Sequence, residues 1–313
     1  MSRVAAVDLG TNSTRLLVAD VENGALTEIS RRLTITRLGE GVDERRKLLP
    51  VPIARVRNCL TEYRRELEEL GAERTLCIAT SSVRDAENGE AFLGEIEWSY
   101  GFTTRLLSGE EEAALMLRGV TAGRTALDDV LVVDIGGGST ELVLANGNQV
   151  AFATSLDVGC VRLTERFLHS DPPPAPELSA AAVHVRTLLP DIEASSAIGV
   201  AGTVTTLASL DLGDPVYDPE RTHGHRISLG AVEGQLEQLA RMTTAERETL
   251  GIEPGRASVI VAGIVVLREV MRAYGLDEIE VSERDVLHGA ALAAAELPPS
   301  EDGAAPPGAY TCC

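Results

Sequence analysis

Two stretches of this chain carry residue types suited to holding phosphate and a metal ion, and they carry them in the same order. The first reads Val7-Asp8-Leu9-Gly10-Thr11-Asn12-Ser13-Thr14-Arg15-Leu16-Leu17-Val18. The second, 126 residues later (8 to 134), reads Val133-Asp134-Ile135-Gly136-Gly137-Gly138-Ser139-Thr140-Glu141-Leu142-Val143-Leu144. Each is an apolar strand ending in an acid, then a Gly-containing turn with hydroxyls, then a second apolar strand. Such a turn can offer backbone N–H groups and hydroxyls to phosphate oxygens, with a carboxylate poised for a cation. Two copies predict two domains facing one another across a chain of phosphates. The copies differ at one chemically decisive place: Arg15 in the first is Glu141 in the second.

In the second turn, Gly136, Gly137 and Gly138 allow positive φ and close backbone approach to an anion. The turn is not a Rossmann fingerprint, because Glu141 stands where the third spaced glycine should fall and a strand is expected next. Asp134 and Glu141 form a candidate Mg²⁺ pair, since Mg²⁺ takes one or two carboxylates plus phosphate oxygens; the alternative for Asp134 is a turn cap. In the first copy Thr11, Asn12 and Ser13 supply donors and Arg15 supplies charge. Arg84 lies in Ala79-Thr80-Ser81-Ser82-Val83-Arg84-Asp85, where a strand gives way to a helix and free N–H groups can face an anion; taken alone it reads as a surface arginine. Ser108-Gly109-Glu110-Glu111 fits a capping box, with Ser108 as N-cap and Glu111 three residues on. The sharper reading of Glu111 is a general base for an attacking water, and both readings stay open. Gly202-Thr203 follows another apolar strand and makes a third Gly-hydroxyl turn. His223 and His225 have no Cys or acid at metal spacing and read as structural.

These residues need a scaffold of alternating strands and helices. Short strands are predicted at Val4 to Val7, Leu16 to Asp20 and Leu26 to Leu38, with Asn23-Gly24 as a hairpin turn. The second copy repeats the plan through Asn146-Gly147. Helices are predicted over about 52–70, near Asp85, from Glu110, near 163–169 and near 178–189, with strands at 74–79, 103–107 and 197–201. The alternation indicates α/β architecture. A domain boundary fits near 121–129, giving domains over 1–124 and 125–297, the last helix of the second being free to pack on the first. A Pro-, Gly- and Ala-rich tail over 298–313 is expected to be disordered.

Length and composition narrow the classes. A chain of 313 residues suits two domains of moderate size. Its net charge of −20 argues against nucleic acid as a partner, and a polyanionic substrate then requires local arginines or metal ions. The single lysine, Lys47, is followed by Leu48, which excludes a Walker phosphate loop. Cys59, Cys77, Cys160, Cys312 and Cys313 show neither zinc spacing nor a secreted framework. The run Val259 to Leu267 is far shorter than the ~20 residues of a membrane span, so no membrane association and a cytoplasmic setting are expected. Gly263 within it could pack a helix closely inside the core, the preferred reading, or between subunits, which leaves a homodimer open.

With these motifs in order, the chain resembles the exopolyphosphatase / guanosine pentaphosphate phosphohydrolase family of the sugar kinase–Hsp70–actin superfamily. The matching segments are Asp8 to Leu17, Arg37-Leu38-Gly39-Glu40-Gly41, Ala79 to Ala86, Ser108 to Ala113, Asp134 to Leu142, Gly159-Cys160-Val161-Arg162-Leu163-Thr164-Glu165, Gly202-Thr203, and Val281-Ser282-Glu283 through Leu287-His288-Gly289. The resemblance implies two ribonuclease-H-like (actin-like ATPase) domains with a cleft between them. It implies metal-dependent release of the terminal phosphate of inorganic polyphosphate, or of the 5′ terminal phosphate of guanosine pentaphosphate. It carries the catalytic Glu onto Glu111, the metal carboxylates onto Asp134 and Glu141, and the phosphate-binding Arg onto Arg84. The metal would be Mg²⁺, with Mn²⁺ as the alternative.

Two departures from the family pattern stand out. Larger members have extra C-terminal helical domains; the expectation here is the two-domain core alone, which predicts a preference for short polyphosphates or weak processivity. Ala201 stands where members often have a second Gly before Gly202-Thr203, which predicts tighter packing at that turn. Two further readings compete with hydrolysis: a phosphotransferase of the same superfamily, which would need an acceptor, and a non-catalytic nucleotide sensor, against which the acidic set Glu111, Asp134 and Glu141 argues.

Overall fold

The computed structural model describes residues 2–124, 127–213 and 217–298. Most of the tail anticipated over 298–313 therefore lies outside the described residues. The chain forms two compact units: residues 2–124 with 284–298, and residues 127–283.

The first unit begins with strands β1 (Ser2–Leu9), β2 (Ser13–Glu22) and β3 (Ala25–Ile35). Helices α1 (Val42–Arg45) and α2 (Pro50–Leu70) follow, then β4 (Arg74–Ala79), α3 (Ser81–Arg84), α4 (Gly89–Tyr100), β5 (Thr103–Leu106) and α5 (Gly109–Thr121). The sheet order is β3-β2-β1-β4-β5, with β1 antiparallel to β2 and parallel to β4. Helix α2 turns Val56, Leu60, Tyr63 and Leu67 inward at three- and four-residue spacing, and these meet Val7, Leu16 and Cys77 in the core. The helix anticipated near Asp85 is in fact two, α3 and α4.

The second unit repeats the opening: β6 (Leu127–Ile135), β7 (Thr140–Gly147) and β8 (Gln149–Leu156). It continues through α6 (Cys160–Phe167), α7 (Ala175–Leu188), β9 (Ser196–Val200), α8 (Ala201–Asp211), α9 (Pro219–Thr222), β10 (Arg226–Ser228), α10 (Leu229–Ala240), α11 (Thr244–Glu248), α12 (Pro254–Ala257), α13 (Ile260–Ala273) and β11 (Glu278–Val281). Its sheet order is β10-β11-β9-β6-β7-β8. The apolar run noted in the sequence is α13, buried from Ile260 through Leu267 at the centre of this unit's core. There Gly263 packs against Thr203, so its close approach serves the unit's own core. Among the described residues no helix is long and apolar enough to cross a membrane.

The duplication extends below the level of strands. Asp8 is in register with Arg15, and Asp134 with Glu141. The β2–β3 ladder has a bulge between Val18 and Ala19, and the β7–β8 ladder has one between Leu144 and Ala145, again 126 residues on. A repeated bulge re-aims each hairpin in the same way.

The last described helix, α14 (Val286–Ala294), belongs to the first unit. It lies on β1, β2, β4 and α5. Its crossing with α5 is built on two glycines: a Cβ on Gly119 would lie 1.9 Å from the Asp285 carbonyl oxygen, and one on Gly289 would lie 1.9 Å from that of Leu115.

Candidate active site

Each Gly-containing turn closes on itself in the same way. Gly10 N donates to Ser13 O at 3.0 Å, and Gly136 N donates to Ser139 O at 3.0 Å. The carbonyls within each turn are then held from behind. In the first, Thr11 O accepts from Gly39 N at 2.8 Å, while Asn12 O accepts from Thr36 N at 3.1 Å and Arg37 N at 2.9 Å. In the second, Gly136 O accepts from Cys160 N at 2.9 Å, and Gly137 O accepts from Val161 N at 2.8 Å and Arg162 N at 3.1 Å. The Nε of Arg162 completes the set by donating to Gly138 O at 2.7 Å.

A trans peptide sets each N–H opposite the preceding carbonyl. Holding the carbonyls of Gly136, Gly137 and Gly138 toward α6 therefore aims the N–H groups of Gly137, Gly138 and Ser139 the other way. Those three N–H groups have no partner among the described residues. None of the three glycines has the positive φ anticipated from the sequence. Close approach is what this region requires: a Cβ on Gly159 would lie 2.5 Å from Gly137 O.

The cross-strand pairs behind the two turns have opposite electrostatics. Side chains directly opposite one another on an antiparallel pair share a face. In the second unit this sets Asp134 beside Glu141, both buried, with Ser155 Oγ donating to Glu141 Oε1 at 2.7 Å. Two buried carboxylates in register are stable together only with added positive charge or a shared proton. In the first unit the same register gives an ion pair. Arg15 Nη2 and Nε donate to Asp8 Oδ2 at 2.6 and 2.9 Å, and Nη1 donates to Asp285 at the start of α14. Arg15 is thus held among acids of its own unit, whereas its sequence position had pointed to a phosphate contact. Burial pushes the Asp8 carboxyl above its ordinary value despite Arg15. At Asp285 the same burial is outweighed by Arg15 and His288, which hold the carboxyl well below.

Other sequence-selected residues fall as follows. Thr11 is buried, its Oγ1 3.0 Å from Ser81 Oγ at the start of α3. Asn12 Oδ1 and Ser82 Oγ are buried polar atoms with no protein partner. Ser13 is half-buried and Ser139 buried. Arg84 Nη1 donates to Leu107 O at 2.8 Å and lies 3.4 Å from Glu112 Oε2, so α3 is tied to the segment that leads into α5. Glu111 is exposed and completes the capping box: its N–H donates to Ser108 Oγ at 3.2 Å, and its Oε2 accepts from Ser108 N at 2.8 Å. Its Oε1 has no partner among the described residues.

At the third turn, Ala201 has φ +65, a left-handed conformation that favours glycine. A Cβ on Gly202 would fall inside the Arg256 guanidinium, 1.7 Å from Nη1. The Thr203 side chain packs on Gly263 of α13. His225 Nε2 is 2.7 Å from Asp211 Oδ2, and His223 Nδ1 accepts from Glu283 N at 3.2 Å, both ordinary structural contacts.

Residue-by-residue reading of the sequence missed Arg162 and Arg256. Both are distant in sequence from the turns they touch, and only the run Gly159 to Glu165 marked the first. Among the described residues no three His, Cys, Asp or Glu side chains cluster as a ready-made metal site. Mg²⁺ does not require one, because water and phosphate oxygens complete its shell around one or two carboxylates. The Asp134–Glu141 pair fits that demand.

The chain matches the Ppx/GppA phosphatase family over residues 17–296. It is 40% identical to exopolyphosphatase 2 of Mycobacterium tuberculosis, over 94% of this chain and 99% of that protein. It is 30% identical to the guanosine-5′-triphosphate,3′-diphosphate pyrophosphatase of Vibrio vulnificus, over 89% of this chain and 56% of that one. Its fold matches the crystal structure of the Aquifex aeolicus Ppx/GppA family member with a TM-score of 0.79 at 30% identity, covering 94% of this chain and 98% of the other.

Proposed function

The chain belongs to the Ppx/GppA phosphatase family, and from that premise we propose that it is an exopolyphosphatase, releasing terminal orthophosphate from inorganic polyphosphate by metal-dependent hydrolysis. The observation that carries this reading is the buried Asp134–Glu141 pair, set where the first unit has the self-neutralising Asp8–Arg15 pair. Mg²⁺ held by these two carboxylates would stabilise charge on the transferred phosphoryl group and its leaving oxygen. Mn²⁺ meets the same donor set.

The chain's own residues have distinct parts. The outward N–H groups of Gly137, Gly138 and Ser139 bind phosphate oxygens, and no side chain must reorganise to let them do so. Thr11, Asn12 and Ser13 do the same in the first unit, where Asn12 Oδ1 and Ser82 Oγ are ready to accept from hydroxyl or water. Arg84 adds a charge-assisted contact. At the third turn the contact falls to the Gly202 backbone, because Thr203 faces the core. Glu111 orients the attacking water through its exposed carboxylate and takes the proton. Its capping role does not compete, since Oε2 holds the cap and Oε1 is left for water.

Phosphate release compared on polyphosphates of several lengths, guanosine pentaphosphate and ATP, with and without Mg²⁺, tests the reading. Release from polyphosphate without an acceptor and its loss under chelator are expected. Undiminished release under chelator would overturn it. The similarity to the Vibrio vulnificus pyrophosphatase supports guanosine pentaphosphate as the second substrate reading. Glu111→Gln should lower turnover by about 10²–10⁴-fold while polyphosphate still binds; near-normal turnover would return Glu111 to a cap alone.

A further inference from the structure

Arg162 is 7% exposed. Burying a guanidinium is unfavourable unless its donors meet acceptors, and here Nε meets the carbonyl of Gly138 at 2.7 Å. That carbonyl is the last of three in the glycine turn. The other two are held by backbone N–H groups of α6, from Cys160, Val161 and Arg162 itself. Among the described residues no backbone N–H donates to Gly138 O. In the first unit the equivalent carbonyl, Asn12 O, is held by two backbone N–H groups, those of Thr36 and Arg37. A side chain in one unit thus does the work that a loop backbone does in the other.

We propose that Arg162 is a positioning residue: by fixing the Gly138 carbonyl it aims the Ser139 N–H, the final amide of the turn, at a phosphate oxygen of the substrate. This rests on the reading of the turn as a phosphate cradle. Gly137 and Gly138 carry no side chains, so the Gly138–Ser139 peptide rotates more readily about Gly138 once its carbonyl is released. A rotated peptide would present a carbonyl oxygen, and hence repulsion, to the anion. The guanidinium acts through the peptide and not by touching phosphate.

The substitutions R162Q and R162M separate this from a packing role. The R162Q amide nitrogen falls at the chain position of Nε and can donate to Gly138 O; R162M has similar length and no donor. The readout is the dissociation constant for tripolyphosphate by calorimetry in Mg²⁺, each protein also carrying Glu111→Gln to suppress turnover, with KM and kcat on polyphosphate measured alongside without that change. R162M should weaken tripolyphosphate binding tenfold or more and raise KM with kcat within about threefold, and R162Q should restore both to within about threefold of wild type. Equal affinity in all three proteins, or equal loss in R162M and R162Q, overturns the proposal. Should R162M fail to fold, R162K, which has charge but no donor at that position, takes its place with the same expectation. Wild-type protein that binds tripolyphosphate without hydrolysing it would sink the hydrolase reading and leave this comparison intact. Wild-type protein that does not bind tripolyphosphate would overturn the positioning role as well.

Discussion

Arg15 shows how one substitution between duplicated hairpins changes what a site can do. In register with Asp8 and joined to Asp285, it sets one shared cation between two buried acids. His288 extends that cluster. Its Nε2 is 3.0 Å from Glu28 Oε1, and burial, which draws its pKa down, is outweighed by Asp285 and Glu28, which raise it. Removing the shared cation with Arg15→Met should destabilise the protein by about 3–5 kcal/mol, the usual penalty for breaking a buried ion pair. The pH dependence has a definite sign. In the wild type the lowered pKa of Asp285 stabilises the fold above the unfolded carboxylate value of 3.8, and that contribution is lost only as pH falls through the folded value. In the variant both carboxylates are buried without the guanidinium: the folded pKa of Asp285 rises, that of Asp8, already above its ordinary value in the wild type, climbs further, and the folded state takes up protons first. The deficit in urea unfolding should therefore shrink between pH 7 and pH 5; a deficit equal at both values would contradict the neutralising role. None of this was legible locally, since Arg15 and Asp285 are 270 positions apart.

At the scale of elements, much of the scaffold was legible because its signals are local. Strand β4 was anticipated at its observed bounds, α2 within two residues, and the hairpins by Asn-Gly turns and apolar runs. The unread parts depend on partners elsewhere. Short α3 is fixed by Arg84 reaching Leu107, and the glycine turn takes its form from α6. The start of α8 combines both kinds of signal. Ala201 looked anomalous in sequence, and its φ of +65 gives the physical reason a glycine suits the position. Left-handed backbone costs a non-glycine residue about 1–2 kcal/mol, and the added unfolded-state freedom of glycine offsets about 0.4–1 kcal/mol of that. Ala201→Gly should raise stability by up to about 1.5 kcal/mol in urea unfolding. A clear loss of stability would mean that the Ala201 methyl makes a packing contribution larger than its backbone strain.

At the scale of the whole chain, duplication explains two similar sheets but not the division of the molecule, because the first unit is discontinuous. Its last helix, α14, arrives after the entire second unit has been traversed, yet Leu287, Ala290, Ala291 and Ala294 are fully buried in the first. Sequence could mark α14 as a helix and leave its host open; only the fit of Gly119 and Gly289 against opposing backbone assigns it to α5. Both helices of the α5–α14 crossing belong to the first unit, so damage there should weaken that unit alone. Gly289→Leu provides the damage: even its first carbon would lie 1.9 Å from Leu115 O, a backbone atom that cannot move aside without shifting α5. Overpacking of this kind costs about 1–3 kcal/mol or more. The chain's single tryptophan, Trp98 on α4, reports on the first unit, while far-UV ellipticity reports on both. In urea the Trp98 midpoint of the variant should fall, and its ellipticity should separate into two phases, the later one at the wild-type position. If fluorescence and ellipticity instead move down together in one transition, the units unfold as a single cooperative body and α14 stabilises both.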